Sequence, residues 1–271
     1  MTVNVPSPWV APLNAWEAWL RAADRPATTR YLRDYQVRRF AAMSGGGPWT
    51  VTTDELVAWL GGQDWATETK RSYRAALRSF YGWAHASGRI PANPAGLLPP
   101  IKPPVRLPRP TPESVLASAL LAADERVTLM VLLAAREGLR RSEIAQVHTR
   151  DLEQDLLGWS LHVHGKGSKE RMVPLSEAVQ VLLSSAPAGF LFPGKIDGHL
   201  SPAYVGKLVS KVLGVGWTAH TLRHRFATVA YAGERDLLAV QKLLGHSKAE
   251  TTLLYVLIPD ASLRAAVAWA A

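Results

Sequence analysis

Residues 99–112 hold seven prolines: Pro99, Pro100, Pro103, Pro104, Pro108, Pro110 and Pro112. Proline fixes φ and has no N–H to donate, so this run can be neither helix interior nor central strand. The expected form is an extended, fairly stiff linker with basic residues spaced along it. It divides the chain into a first domain over 1–98 and a second over 113–271, joined by 99–112. Both pieces are of ordinary domain size.

Composition narrows the chemistry. There is no cysteine, which excludes disulfides, thiol catalysis and thiolate metal sites. Residues 1–10 show no basic stretch followed by an apolar run, so no signal peptide is expected. No stretch approaches the roughly 18 apolar residues of a membrane span, so no membrane partner is expected. The expected location is the cytosol. The 31 Lys and Arg outnumber the 22 Asp and Glu, giving a net charge of +9 and a pI near 10.0. A surface this basic draws polyanions, nucleic acid first among them.

The first domain reads as all-helical, with helices over 13–21, 28–42, 55–60 and 67–87. Thr53-Asp54-Glu55 offers the cap of the third, and Gly61-Gly62 closes it. Of the ten tryptophans, Trp16, Trp19 and Trp83 fall at helical core positions. The second and fourth helices are strongly basic, with Arg30, Arg33, Arg38 and Arg39 on one and Lys70, Arg71, Arg74 and Arg78 on the other. Few acids accompany them, which favours a surface facing DNA phosphates. Arg30, Arg33, Lys70, Arg71, Arg74 and Arg78 are therefore DNA-binding candidates, with Lys102 from the linker.

The second domain is mixed, giving a chain that is mainly α with a small β-hairpin. Helices are expected over 112–122, 126–137, 176–184, 201–213, 220–232, 236–243 and 251–257, with an amphipathic segment over 261–270. The β-rich runs 159–164 and 170–174 flank Gly165-Lys166-Gly167-Ser168-Lys169 and form the hairpin. His162 and His164 point to one side of a strand. A zinc site would need further ligands, so no metal is expected. The glycine-flanked Lys166 lacks the spacing of a nucleotide-binding phosphate loop.

Three cationic clusters precede one tyrosine near the end of the chain. They are Gly138-Leu139-Arg140-Arg141-Ser142-Glu143, His220-Thr221-Leu222-Arg223-His224 and Leu244-Gly245-His246, and Tyr255 follows His246 by nine residues. Together they read as a site that breaks a phosphodiester by attack of a tyrosine oxygen. Such a reaction needs fixed positive donors for the charge building on the non-bridging oxygens. The phenol, with an ordinary pKa near 10, must lose a proton. The leaving oxygen must gain one. Guanidinium suits the first task, because it gives two parallel donors to phosphate and stays charged. No cofactor is required.

These motifs resemble the tyrosine recombinase family of phage integrases and Xer-type resolvases, over roughly 112–255. The resemblance implies that Arg140 and Arg223 clamp the scissile phosphate and that Glu143 orients Arg140. It implies that Lys166 protonates the leaving oxygen. His220 is implied as an acid/base or phosphate donor, His246 as a phosphate hydrogen-bond partner, and Tyr255 as the nucleophile. Lys169 and Arg171, in Gly165-Lys166-Gly167-Ser168-Lys169-Glu170-Arg171, are read as DNA-backbone contacts, and His224 as structural.

The implied architecture is a two-domain clamp on duplex DNA attachment sites, with a 3′-phosphotyrosine intermediate and a homotetramer on DNA. Residues 260–271 are the candidate segment for docking on a neighbouring protomer. An arm-binding domain is not expected, and an accessory directionality factor would bear on the direction of recombination. The small apolar C-terminus also resembles a degradation tag. Two other readings share part of the pattern: a topoisomerase of the tyrosine-3′-phosphate type, and a DNA-binding regulator that does not cut.

Overall fold

A computed structural model describes residues 3–104, 107–165, 170–184, 186–246, 252 and 268. Lys166, Lys169 and Tyr255 lie outside the described residues. So do nearly all of the expected helix 251–257, the docking segment and the C-terminal tag. The chain divides into two compact units, Met1–Val105 and Arg106–Ala271, with the division inside the proline run.

Among the described residues the first unit holds four helices: α1 (Ser7–Ala22), α2 (Ala27–Ala41), α3 (Thr53–Gly61) and α4 (Thr67–Ala86). The first begins six residues before the expected start, because Pro8 sits where the helix needs no amide donor, although Pro12 follows inside it. The cap of α3 is Thr52, not Thr53. Its hydroxyl accepts from the Glu55 N–H, and the Glu55 carboxylate accepts in return from the Thr52 N–H at 2.6 Å. The core is aromatic. Trp9, Trp16, Phe40 and Phe80 are buried and meet edge-on or stacked, with centroids 5.3–5.8 Å apart. Trp83 joins this core, but Trp19 does not. It is 44% exposed on the outer face of α1, one step round the helix from Trp16 and Leu20.

The second unit is built from α5 (Glu113–Ala122), α6 (Glu125–Ala135), α7 (Arg141–Gln146), α8 (Glu177–Ser184), α9 (Pro202–Leu213), α10 (Ala219–Glu234) and α11 (Leu237–Leu244). Beside them lie strands β1 (Leu152–Asp155), β2 (Gly158–His164) and β3 (Glu170–Pro174). The expected hairpin is present as β2–β3, and β1 adds a third strand in the antiparallel order β1-β2-β3. A short β4 (Pro193–Ile196) lies outside that sheet. Along β2, Leu161 and Val163 are buried, while His162 and His164 face the other side. That alternation seats the sheet on the core formed by α6, α7 and α9.

Both ends of the proline run are tied to their own unit. The Leu98 carbonyl accepts from Arg74 Nη2 at 2.7 Å, and the Gly96 carbonyl from Arg78 Nη1 at 2.6 Å. In the second unit the Thr111 N–H donates to the Thr221 carbonyl, and the two hydroxyls bond at 2.8 Å. The Arg109 guanidinium lies over the Trp217 ring, 4.6 Å from its centroid. No described helix is long and apolar enough to cross a membrane.

Candidate active site

Gly138 has φ +66°, and a Cβ there would run into the Phe226 ring. The glycine lets the chain turn from α6 into α7 against α10. The turn puts Arg140 at the cap of α7 and Glu143 one turn on. Glu143 folds back: its Oε2 accepts from the Arg140 N–H at 2.8 Å, and its Oε1 from Arg140 Nη1 at 2.7 Å. The Arg140 side chain stays 36% exposed, while that of Glu143 is 2% exposed.

Glu143 also takes a bidentate pair from Arg171 on β3, at 3.0 and 2.8 Å. Arg171 Nε donates to the Leu243 carbonyl at 2.6 Å. Arg223 Nη1 lies 3.8 Å from the same carboxylate. Three guanidiniums therefore surround one buried acid. Burial by itself would raise the Glu143 carboxyl. The hydrogen bonds and charge of Arg171, with the amide and charge of Arg140, outweigh it and hold the pKa at about 2.

This arrangement gives Arg171, read from the sequence as a DNA-backbone contact, a structural task instead. Its side chain is 10% exposed and committed to Glu143 and to the end of α11. Strand alternation on β3 turns it inward, whereas its neighbour Glu170 is exposed.

Arg223 is 1% exposed near the start of α10. Its Nη1 donates to the Gly138 carbonyl and its Nη2 to the Leu244 carbonyl. Nη2 also reaches His246 Nε2 at 3.1 Å. Gly245, at φ +62°, ends α11 in a left-handed cap, and a Cβ there would come 3.1 Å from Arg171. Small size and positive φ at Gly138 and Gly245 thus bring both carbonyls to one guanidinium. His246 Nδ1 bonds Thr252 Oγ1 at 3.0 Å.

Arg140, Arg223 and His220 line one cleft of about 690 Å³. The Thr218 hydroxyl caps α10 by accepting from the Thr221 N–H, so the first amides of that helix begin at this cleft. His220 is exposed and its ring meets that of His224 edge-on at 4.6 Å. His224 is buried, as its structural reading expects. Arg141 and Lys207 also line the cleft and were not singled out in the sequence. Lys207 lies on α9, and no motif signals it. Three guanidiniums, an imidazole, a lysine and a helix N-terminus around one open cleft have the chemistry that binding a phosphate requires.

Among the first-unit cations expected to face DNA, Lys70 is half-buried and Lys102 exposed. Arg71 pairs with Glu68 at 2.7 Å, Arg30 with Glu17 at 3.3 Å, and Arg33 donates to Ser79 Oγ at 3.2 Å. Arg74 and Arg78 hold the loop carbonyls described above.

The mainly helical fold with its small antiparallel sheet carries an open cationic cleft of the kind that chemistry on a phosphodiester calls for. Residues 113–260 match the phage integrase family. Tyrosine recombinase XerD of Rhizobium meliloti (strain 1021) is 31% identical, over 88% of this chain and 89% of that protein. The integrase from mycobacterium phage Brujita is 29% identical over 95% of this chain and 98% of its own, with a TM-score of 0.50. A lambda integrase tetramer bound to a Holliday junction shares the fold, with a TM-score of 0.71 at 20% identity over 88% of this chain and 77% of that one. The chain belongs to the phage integrase family and is a site-specific tyrosine recombinase.

Proposed function

We propose that Tyr255 attacks a phosphate of duplex DNA held between Arg140 and Arg223. The observation that supports this most is the Glu143 cluster. One buried carboxylate orients Arg140, whose side chain is partly exposed, and lies 3.8 Å from buried Arg223, and both arginines line the same cleft. Donors fixed in advance on a developing charge need no rearrangement during the reaction.

In the proposed step the phenol oxygen bonds to phosphorus and the P–O5′ bond breaks. Lys166 gives its proton to the departing 5′-oxygen, leaving a 3′-phosphotyrosine and a free 5′-hydroxyl. Attack by the 5′-hydroxyl of a partner strand reverses the step and returns the phenol, so no external energy source is consumed. His220, exposed at the start of α10, is assigned to donate to the phosphate or move the tyrosine proton. His246 is assigned to bond the phosphate through an Nε2–H, in the tautomer opposite to the one that accepts from Arg223 in the structure.

Residues 1–98 are proposed as the core-binding unit, with Arg30, Arg33, Lys70, Arg71, Arg74 and Arg78 toward the backbone, joined by Lys102. Residues 113–271 are proposed as the catalytic unit, with Lys169 on the DNA. Pairing two sites calls for four protomers, as in the lambda integrase tetramer on a Holliday junction. An accessory directionality factor and a phage or mobile-element origin fit this reading, as does action at the nucleoid in the bacterial cytosol.

The test is a nicked duplex of the attachment site incubated with wild type and with Tyr255→Phe, then resolved on a denaturing gel. A covalent adduct with wild type alone is expected. Absence of an adduct while the same DNA is bound would overturn the proposal in favour of a regulator that does not cut.

A further inference from the structure

On the outer face of the β2–β3 hairpin, His162, His164 and Glu170 bring one nitrogen or oxygen each within 4.8 Å of one another. His162 and His164 are two apart on β2 and so share a face, and register places Glu170 directly opposite His164. His162 Nε2 lies 3.1 Å from Glu170 Oε2, and His164 Nδ1 lies 3.4 Å from Glu170 Oε1. Ligand atoms at the corners of a tetrahedron around zinc, with bonds of about 2.0–2.1 Å, stand about 3.3 Å apart. The two histidine–carboxylate spacings, each to its own oxygen of Glu170, are close to that edge, and the 4.8 Å span of the whole set closes to it by small side-chain rotations at the strand surface.

We propose that these three residues bind a first-row transition dication, Zn²⁺ foremost. Two imidazoles and one carboxylate suit zinc, copper or nickel and disfavour magnesium and calcium, which prefer all-oxygen sites. The ligands are His162 Nε2, His164 Nδ1 and the Glu170 carboxylate, with solvent completing the fourth position. The far nitrogen of His164 is already engaged: Nε2 lies 3.3 Å from Oδ1 of Asp151, which is 8% exposed. A carboxylate accepting that N–H leaves the Nδ1 lone pair free for the metal and fixes the ring plane. Proximity in sequence gave only the two histidines, and strand pairing supplies the third ligand.

The site ties the end of β2 to the start of β3, so a bound metal clips the two strands together next to the segment that joins them. The proposal is independent of any role of Lys166 in the reaction.

The experiment uses the full chain without a histidine tag, stripped with EDTA and titrated with Zn²⁺ by calorimetry and with Co²⁺ by visible absorption. One equivalent of each is expected to bind, Zn²⁺ with a Kd on the order of micromolar, and Zn²⁺ should raise the melting temperature. The double variant His162→Ala/His164→Ala should weaken Zn²⁺ binding at least tenfold. Glu170→Gln, a conservative change at an exposed position, should weaken it severalfold without altering the fold. His85→Ala, on exposed α4 surface, should bind like wild type. No Zn²⁺ uptake by wild type would overturn the site, as would uptake unchanged in both Glu170→Gln and the double histidine variant.

Discussion

Arg223 Nη2 donates to His246 Nε2 across 3.1 Å. A guanidinium has no acceptor, so the imidazole must offer a lone pair at Nε2 and hold its proton on Nδ1. That proton is then donated to Thr252 Oγ1 at 3.0 Å. Burial first, and then the charges of Arg223, Arg140 and Arg171, lower the His246 pKa to about 3 against the opposing pull of Glu143. His246 is therefore neutral at neutral pH. A phosphate that draws on Arg223 Nη2 competes with the imidazole for the same donor.

The His246 shift has a pH consequence. Its folded pKa, about 3, lies below the unfolded value of 6.5, so the unfolded chain takes the proton first. Its stabilising contribution is complete above pH 6.5 and is lost as pH falls from there through 3. Glu143, lowered from 4.5 to about 2, adds a similar loss that begins only below 4.5. Urea unfolding of wild type and His246→Asn between pH 6.5 and 4.5 isolates the histidine. The variant should lose less stability over that window, and parallel profiles would remove His246 as the group responsible.

Arg140 and Arg171 share Glu143 but should fail differently. Arg140→Ala removes a partly exposed side chain and leaves the bidentate Arg171 pair intact. Stability should stay near wild type while DNA cleavage falls about 100-fold, the usual effect of losing one fixed donor to a developing oxyanion. Arg171→Ala opens a buried pair and should cost about 3 kcal/mol. Its folded fraction should keep the wild-type salt dependence of DNA binding, because this guanidinium is taken up by Glu143 and the Leu243 carbonyl. A reduced salt slope for Arg171→Ala would restore it as a backbone contact.

Glu143→Gln keeps the shape and removes the charge among three guanidiniums. It should destabilise the second unit by about 3 kcal/mol. At a temperature where it remains folded, single-turnover cleavage should fall more than DNA affinity does, because the arginines lose their orientation rather than their charge. An equal fall in affinity and cleavage would mean that Glu143 serves binding alone.

Gly138→Ala meets two obstacles. The left-handed backbone costs about 1–2 kcal/mol, and the Phe226 ring must move, at about 1–3 kcal/mol. Adding Phe226→Leu should recover the second part only. Denaturant midpoints of the single and double variants measure the split, and full recovery in the double would show that φ contributes nothing.

The sequence by itself determined a good deal of this protein. The proline run marked the division into two units because a ring-locked φ and a missing N–H act locally. Helical periodicity found α2, α4, α9 and α10 to within a few residues, since an amphipathic face repeats in the chain itself. Ordered motifs picked out Arg140, His220 and Arg223, which share one cleft, and His246, which bonds Arg223. What the tertiary structure decided were the matters of partner and side. Arg171 looked like one more cation on a basic hairpin, and only packing of β3 against α7 and α11 gave it Glu143 and the Leu243 carbonyl. Trp19 fits a helical core pattern as well as Trp16 does, yet a helix docked on one side buries one and exposes the other. The short α7 and strand β1 were missed because six or four residues carry too little periodicity to read. Lys207 and Glu170 had no motif, and each gains a place only because a distant element lies beside it. A chain encodes its periodicities locally, whereas the neighbours of a buried charge are fixed only when separate elements close around it.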